Sequence, residues 1–124
     1  MKIYLGGTGN GSDWRYHLDA MLNIEPTMFD VDIRPDVDYM LYTITPVITQ
    51  FRVLPKIIKR AKEYSDKVII CLLSQDTCID TGNIVKFDND MMEFLIYFAD
   101  QVNIKYGCKY FTSLSDVANY VNED

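Results

Sequence analysis

Tyr39-Met40-Leu41-Tyr42-Thr43-Ile44-Thr45 is seven residues of apolar, aromatic and β-branched sequence with no charge and no polar alternation. A run of this kind reads as a strand covered on both faces, the situation of a central strand in a parallel sheet. Lys67-Val68-Ile69-Ile70-Cys71-Leu72-Leu73 repeats the pattern. Between the two, Pro46 closes the first strand. From Phe51 the apolar positions Val53, Leu54, Ile57, Ile58 and Ala61 then recur at helical spacing beside Lys56, Lys59, Arg60 and Lys62. A strand, a helix and a strand in that order make a parallel crossover unit, with the cations on the helix's solvated face.

Working outward, Lys2-Ile3-Tyr4-Leu5 runs into Gly6-Gly7-Thr8-Gly9-Asn10-Gly11-Ser12, where four glycines fall within six residues. Trp14, Leu18, Met21 and Leu22 follow at helical spacing, so Asp13 to Leu22 is expected as the first crossover helix, capped by Ser12 or Asp13. Pro26 ends the connection. Thr27 to Asp32 alternates Met28, Phe29, Val31 and Ile33 with aspartates, the pattern of a short strand near a sheet edge, and Arg34-Pro35-Asp36 breaks it. Downstream of the second buried strand, Ser74 to Asn83 is polar and reads as a loop, with a short extended piece from Ile84 to Phe87. Asp88 or Asn89 caps a helix over about Asp90 to Val102, Tyr110-Phe111 makes a last short strand, and Ser113 with Asp116 resembles a capping box before a final helix. The alternation predicts an α/β three-layer sandwich, flavodoxin-like, with about five parallel strands. In such a sheet the ligand sits beyond the carboxyl ends of the strands, so the loops after Leu5, Thr45 and Leu73 are expected to converge on one pocket.

At 124 residues the chain fits one domain, 1–124, that buries roughly two-thirds of its unfolded surface without staples. Twelve basic against eighteen acidic residues give a formal charge of −6, which argues against a duplex nucleic-acid partner and for a small-molecule ligand. Cys71, Cys78 and Cys108 are odd in number and lack paired spacing, the pattern of reduced thiols in a cytoplasmic protein. No apolar stretch approaches the roughly 18 residues of a membrane span. The aspartates Asp30, Asp32, Asp36 and Asp38 lack the glycine and terminal glutamate of a calcium loop, so no metal is expected, and nothing calls for a cofactor. His17, the only histidine, has no partner identifiable in sequence and is assigned to the surface or to packing.

The glycine stretch is neither a Walker loop nor a clean GxGxxG, because Ser12 stands where the third glycine belongs. Four glycines beside Thr8, Asn10 and Ser12 instead suit contact with an anion or a sugar. Tyr4-Leu5-Gly6-Gly7, Asn10-Gly11-Ser12-x-Trp14-Arg15, and Asp38-Tyr39 leading into Leu41-Tyr42-x-Ile44-Thr45-Pro46 resemble the nucleoside 2-deoxyribosyltransferase-like family, chiefly its small single-domain branch. The likeness covers about the first 75 residues. It implies cleavage of the N-glycosidic bond of a nucleoside or nucleotide, by transfer or hydrolysis, and a flavodoxin-like fold. It places base and sugar over Gly6, Gly7, Thr8, Asn10, Ser12, Trp14 and Arg15, with Tyr4 and Asp38 near the sugar as the catalytic pair. Relatives that complete their sites from a neighbouring subunit imply a homodimer.

That chemistry requires a carboxylate to capture an oxocarbenium-like sugar. On the family's spacing the glutamate falls at or near Lys56, and an upstream aspartate near Gln50; neither residue is an acid. Lys56 has the wrong sign beside a developing cation. Three accounts follow: a spacing slipped by a turn, with Glu63 as the nearest acid; hydrolysis by Asp38, Asp30 or Asp32 acting on water; or a pocket that binds a nucleotide, with Lys56, Gln50 and Arg52 as contacts, and leaves it intact. The aromatic load of the helix carrying Met91 to Phe98 is read as buried core, with a protein-interaction or dimer surface as the alternative.

Overall fold

In the computed structural model, residues 1–28, 36–48 and 51–123 are described. The strands are β1 (Lys2–Gly7), β2 (Glu25–Thr27), β3 (Tyr39–Ile44), β4 (Val68–Leu72), β5 (Gln75–Thr77), β6 (Ile84–Lys86) and β7 (Lys109–Phe111). The helices are α1 (Trp14–Asp19), α2 (Val53–Glu63), α3 (Asn89–Tyr106) and α4 (Leu114–Asn122). Five strands form one all-parallel sheet in the order β2-β1-β3-β4-β7, and β5 and β6 form a separate antiparallel hairpin. This is the flavodoxin-like α/β sandwich that the sequence predicts.

The two apolar runs lie at the centre because they offer no polar face to water: every residue of β3 and of β4 is buried. Side chains alternate across the pleat. Tyr4, Met40, Tyr42, Ile44, Val68, Ile70 and Leu72 pack on one face against Ile57 and Ala61 of α2 and Leu95, Ala99 and Val102 of α3. Ile3, Leu5, Tyr39, Leu41, Ile69 and Cys71 pack on the other against Trp14 and Leu18 of α1 and Val117, Ala118 and Val121 of α4. The order reverses between β1 and β3, whose register runs from Ile3 opposite Tyr39 to Gly7 opposite Thr43.

Local chemistry sets the boundaries. The Asp88 carboxylate accepts from the Met91 amide at 2.8 Å and starts α3, which runs on to Tyr106 rather than stopping near Val102. The Ser113 hydroxyl accepts from the Asp116 amide at 3.2 Å and starts α4 as expected. Helix α1 is only six residues long, because Ala20 to Leu22 close in turns instead of continuing the pattern of Met21 and Leu22. Strand β2 begins at Glu25, so Pro26 lies inside an edge strand, where a missing ladder donor is tolerated. The expected Thr27–Asp32 strand overlaps β2 only at Thr27; Met28 lies past its end, and residues 29–32 lie outside the described residues. The Ser74–Asn83 loop is a correction: it contains β5 and leads into β6, forming the hairpin described below.

Candidate binding cleft at the carboxyl edge of the sheet

The corner after β1 is built on a close approach that only glycine permits. Gly7 has φ +104°, and a Cβ there would lie 2.1 Å from the Thr43 carbonyl oxygen. Gly6 faces the core, where a Cβ would meet the Tyr4 ring at 2.7 Å and the Tyr42 ring at 3.0 Å. Thr8 then plugs the end of the sheet. It is buried, its amide donates to the Thr43 carbonyl at 2.8 Å, and its hydroxyl accepts from the Thr45 amide at 2.9 Å. Its carbonyl accepts twice at 2.6 Å, from the Trp14 indole and from the Arg15 guanidinium.

Arg15 also donates to the Leu5 carbonyl at 3.1 Å and lies 4.5 Å over the Trp14 ring. Burial lowers its pKa from the usual arginine value, with Tyr4 acting in the opposite sense. Trp14 and Arg15 therefore staple the glycine loop to α1. The resemblance puts them against a base and sugar, whereas the Trp14 indole and the Arg15 Nε and Nη1 donate to the chain's own carbonyls. Ser12 is similarly engaged: its hydroxyl donates to Asp76 of β5 at 2.5 Å. Tyr4 lies in the core, edge to face with Tyr42 at 5.9 Å.

Asp38 stands at the other end of the sheet. Its carboxylate accepts from the Lys2 amide at 2.8 Å and its own amide donates to the Lys2 carbonyl at 2.9 Å. Lys2 opens β1 and the glycine loop follows its end. Five residue steps at about 3.3 Å each put roughly 16 Å between Asp38 and the loop. The expectation that an acid from the middle of the sheet faces the glycines is therefore corrected. A residue directly preceding a parallel strand belongs to the amino edge, whereas the loop after a strand belongs to the carboxyl edge. A hollow of about 370 Å³ at that amino edge is lined by Lys2, Glu25, Asp36 and Val37 among others, not by Asp38. Gln50, Asp30 and Asp32 lie outside the described residues. Lys56 sits in the first turns of α2, half-buried, and does not line the cleft described next.

What does gather at the carboxyl edge is a cleft of about 340 Å³ lined by Gly7, Thr8, Gly9, Asn10, Val47, Ile48, Arg52 and Val53. It lies between the loops after β1 and β3, at the point where the strand order reverses, the general ligand position in sheets of this type. Gly9 and Asn10 are exposed, and a Cβ on Gly9 would meet nothing within 4 Å, so ligand atoms can reach main chain there. Helix α2 starts at its rim with no side-chain cap and no acidic residue in its first turn. Its positive dipole end and Arg52 thus face the cleft without a carboxylate of the first turn to offset them. Among the described lining residues none is acidic.

Sequence reasoning missed the third wall of this region. The hairpin docks on the outside of the glycine loop: the Ile79 amide donates to the Gly11 carbonyl at 2.9 Å, and Asp76 holds Ser12. The loops after β1, β3 and β4 therefore do meet, as the topology demands. The remaining sequence candidates carry structural roles. His17 lies 3.1 Å from Asp13 one turn away on an exposed face. The described residues contain no group of three or more histidine, cysteine or acidic side chains placed to hold a metal ion, and no helix long and apolar enough to cross a membrane. Compared with known proteins, the chain matches no protein-family profile, no curated protein and no solved structure.

Proposed function

We propose that this chain binds a small phosphorylated ligand of the nucleotide class in the carboxyl-edge cleft and does not cut it. The observation that carries the reading is the composition of that cleft: exposed main chain at Gly9 and Asn10, the cation of Arg52, an uncapped start of α2, and no acid among the described lining residues. Amides and a dipole end with an arginine suit a phosphate. The volume, about 340 Å³, suits a nucleotide-sized molecule. The likeness of Tyr4–Arg15 and Asp38–Pro46 to the nucleoside 2-deoxyribosyltransferase-like family supports the nucleoside half of the ligand. Of the chain's twelve cations, Arg52 lines the cleft beside the start of α2, a local positive group on a protein whose net charge is −6.

Cleavage of an N-glycosidic bond demands a carboxylate at the sugar, and Asp38 lies roughly 16 Å along the strand from the loop. The enzyme reading keeps one support, the hairpin acids Asp76 and Asp80 beside the glycine loop. Calorimetry against the common nucleoside mono-, di- and triphosphates tests the binding reading, with chromatography of the same mixtures for free base. Binding that Arg52→Gln weakens at least tenfold, with no base released, supports it. Release of base abolished by Asp76→Asn or Asp80→Asn would favour the enzyme, and no heat with any nucleotide would remove both.

A further inference from the structure

The tip of the hairpin carries a carboxylate to Gly11, beside Val47 of the cleft wall. Residues 78–83 fold into a turn closed by the Cys78 amide on the Asn83 carbonyl at 2.9 Å and the Gly82 amide on the Cys78 carbonyl at 2.7 Å. A two-stranded hairpin is marginal by itself. This one is held by the Ile79–Gly11 main-chain bond and by Ser12 on Asp76, both on the arm that leads into the tip. Those two anchors put Asp80 against Gly11. A methyl group on Gly11 would lie 3.9 Å from the Asp80 Oδ2 and 3.1 Å from a methyl of Val47, and Val47 lines the cleft. Gly11 itself has φ +89°, so the loop bends at that residue to receive the hairpin. Asp80 is exposed, and among the described residues no hydrogen bond or ion pair engages its carboxylate.

We propose that Asp80 is the residue that selects a hydroxylated sugar, accepting hydrogen bonds from the ribose hydroxyls of a ligand whose phosphate lies toward Arg52 and the start of α2. The inference rests on the nucleotide reading of the cleft and adds to it the polarity of the ligand and the class of sugar. An ionised carboxylate accepts two hydrogen bonds and donates none, so it matches a vicinal diol and repels a phosphate. Arg52 in the cleft lining and Asp80 beside Gly11 thus favour the orientation that keeps the phosphate on Arg52.

The test is calorimetry of the four common ribonucleoside 5′-monophosphates and their 2′,3′-dideoxy counterparts, with inorganic phosphate alongside, on the wild-type chain and on Asp80→Asn. The expected result is that Asp80→Asn weakens the ribonucleotides about tenfold and leaves the dideoxy compounds and phosphate unchanged. A uniform change across all three classes, or tighter binding of all of them through lost repulsion, would overturn the role of Asp80 while leaving the cleft as a nucleotide site. Failure of the wild-type chain to bind any of the three would remove the nucleotide reading itself, and this inference with it.

Discussion

Replacing Gly7 by alanine perturbs the corner on which the carboxyl edge is built. The new Cβ would stand 2.1 Å from the Thr43 carbonyl oxygen and 2.6 Å from the Thr43 nitrogen. Both atoms are main chain of β3, buried on both sides, so neither can step aside without opening the ladder between β1 and β3. Two costs add. A side chain at φ +104° costs about 1–2 kcal/mol in backbone strain. Relieving the overlap, an overpacking at a rigid site, costs about 1–3 kcal/mol more. The sum is about 3 kcal/mol. For a chain of 124 residues, with an unfolding entropy of about 2.1 cal/mol/K per residue, that lowers Tm by roughly 10 °C. Gly9→Ala two residues away is the control, because its Cβ meets nothing within 4 Å. It should leave Tm within about 2 °C, or raise it slightly by stiffening the unfolded chain. Circular dichroism melts of the two variants decide the matter. If Gly7→Ala melts with the wild type, or Gly9→Ala costs as much, the close approach of β1 to β3 is not what fixes this corner.

Four more outcomes follow from the same structure. Ser12→Ala removes the side-chain anchor of the hairpin, so amide exchange at Thr77 and Ile79 should speed about tenfold while the β4 amides are unchanged; equal protection in both proteins would deny the anchor. Burial pushes the Cys71 thiol up to about 12, with Asp116 adding to the rise. The unfolded chain therefore loses that proton first. Stability is whole below about pH 9 and should fall toward pH 12 by as much as about 1.4 kcal/mol per pH unit, a slope that Cys71→Ala reduces in urea titrations. Hydrogen bonding to Asp100 raises the Tyr110 pKa and acts in the same direction at higher pH, so the residual slope in Cys71→Ala should fall again in Tyr110→Phe. Finally, Asp38→Asn should leave ligand affinity within twofold, since Asp38 serves the Lys2 amide at the amino edge; a loss above tenfold would restore it to the site.

The parts of the fold legible in the sequence are those that a single physical rule decides. Strands β3 and β4 were readable because a strand buried on both faces carries no charge and no polar alternation, and Ser113 and Asp88 announced their helices because an N-cap satisfies amides that have no partner within the helix. The hairpin was not readable. Gln75-Asp76-Thr77 has neither apolar alternation nor strong β propensity, and its pairing with Ile84–Lys86 draws on docking against Gly11 and Ser12, sixty or more residues away in sequence. At the site, the glycine loop and the converging loops after β1 and β3 were legible from topology. The roles of Thr8, Trp14 and Arg15 were not, because a donor aimed at a ligand and a donor aimed at the loop's own carbonyl look alike in sequence. Asp38 was legible in principle. Its place one residue before β3 consigns it to the amino edge whatever its neighbours resemble.

The most direct test of the central claim is a map of amide shifts in an isotope-labelled sample as a nucleoside monophosphate is added. The amides of Gly7, Gly9, Asn10 and Val53 should move together and saturate at one affinity, while those of Lys2 and Asp38 stay fixed. Movement confined to Lys2, Thr27 and Asp38 would put the ligand at the amino edge and contradict it.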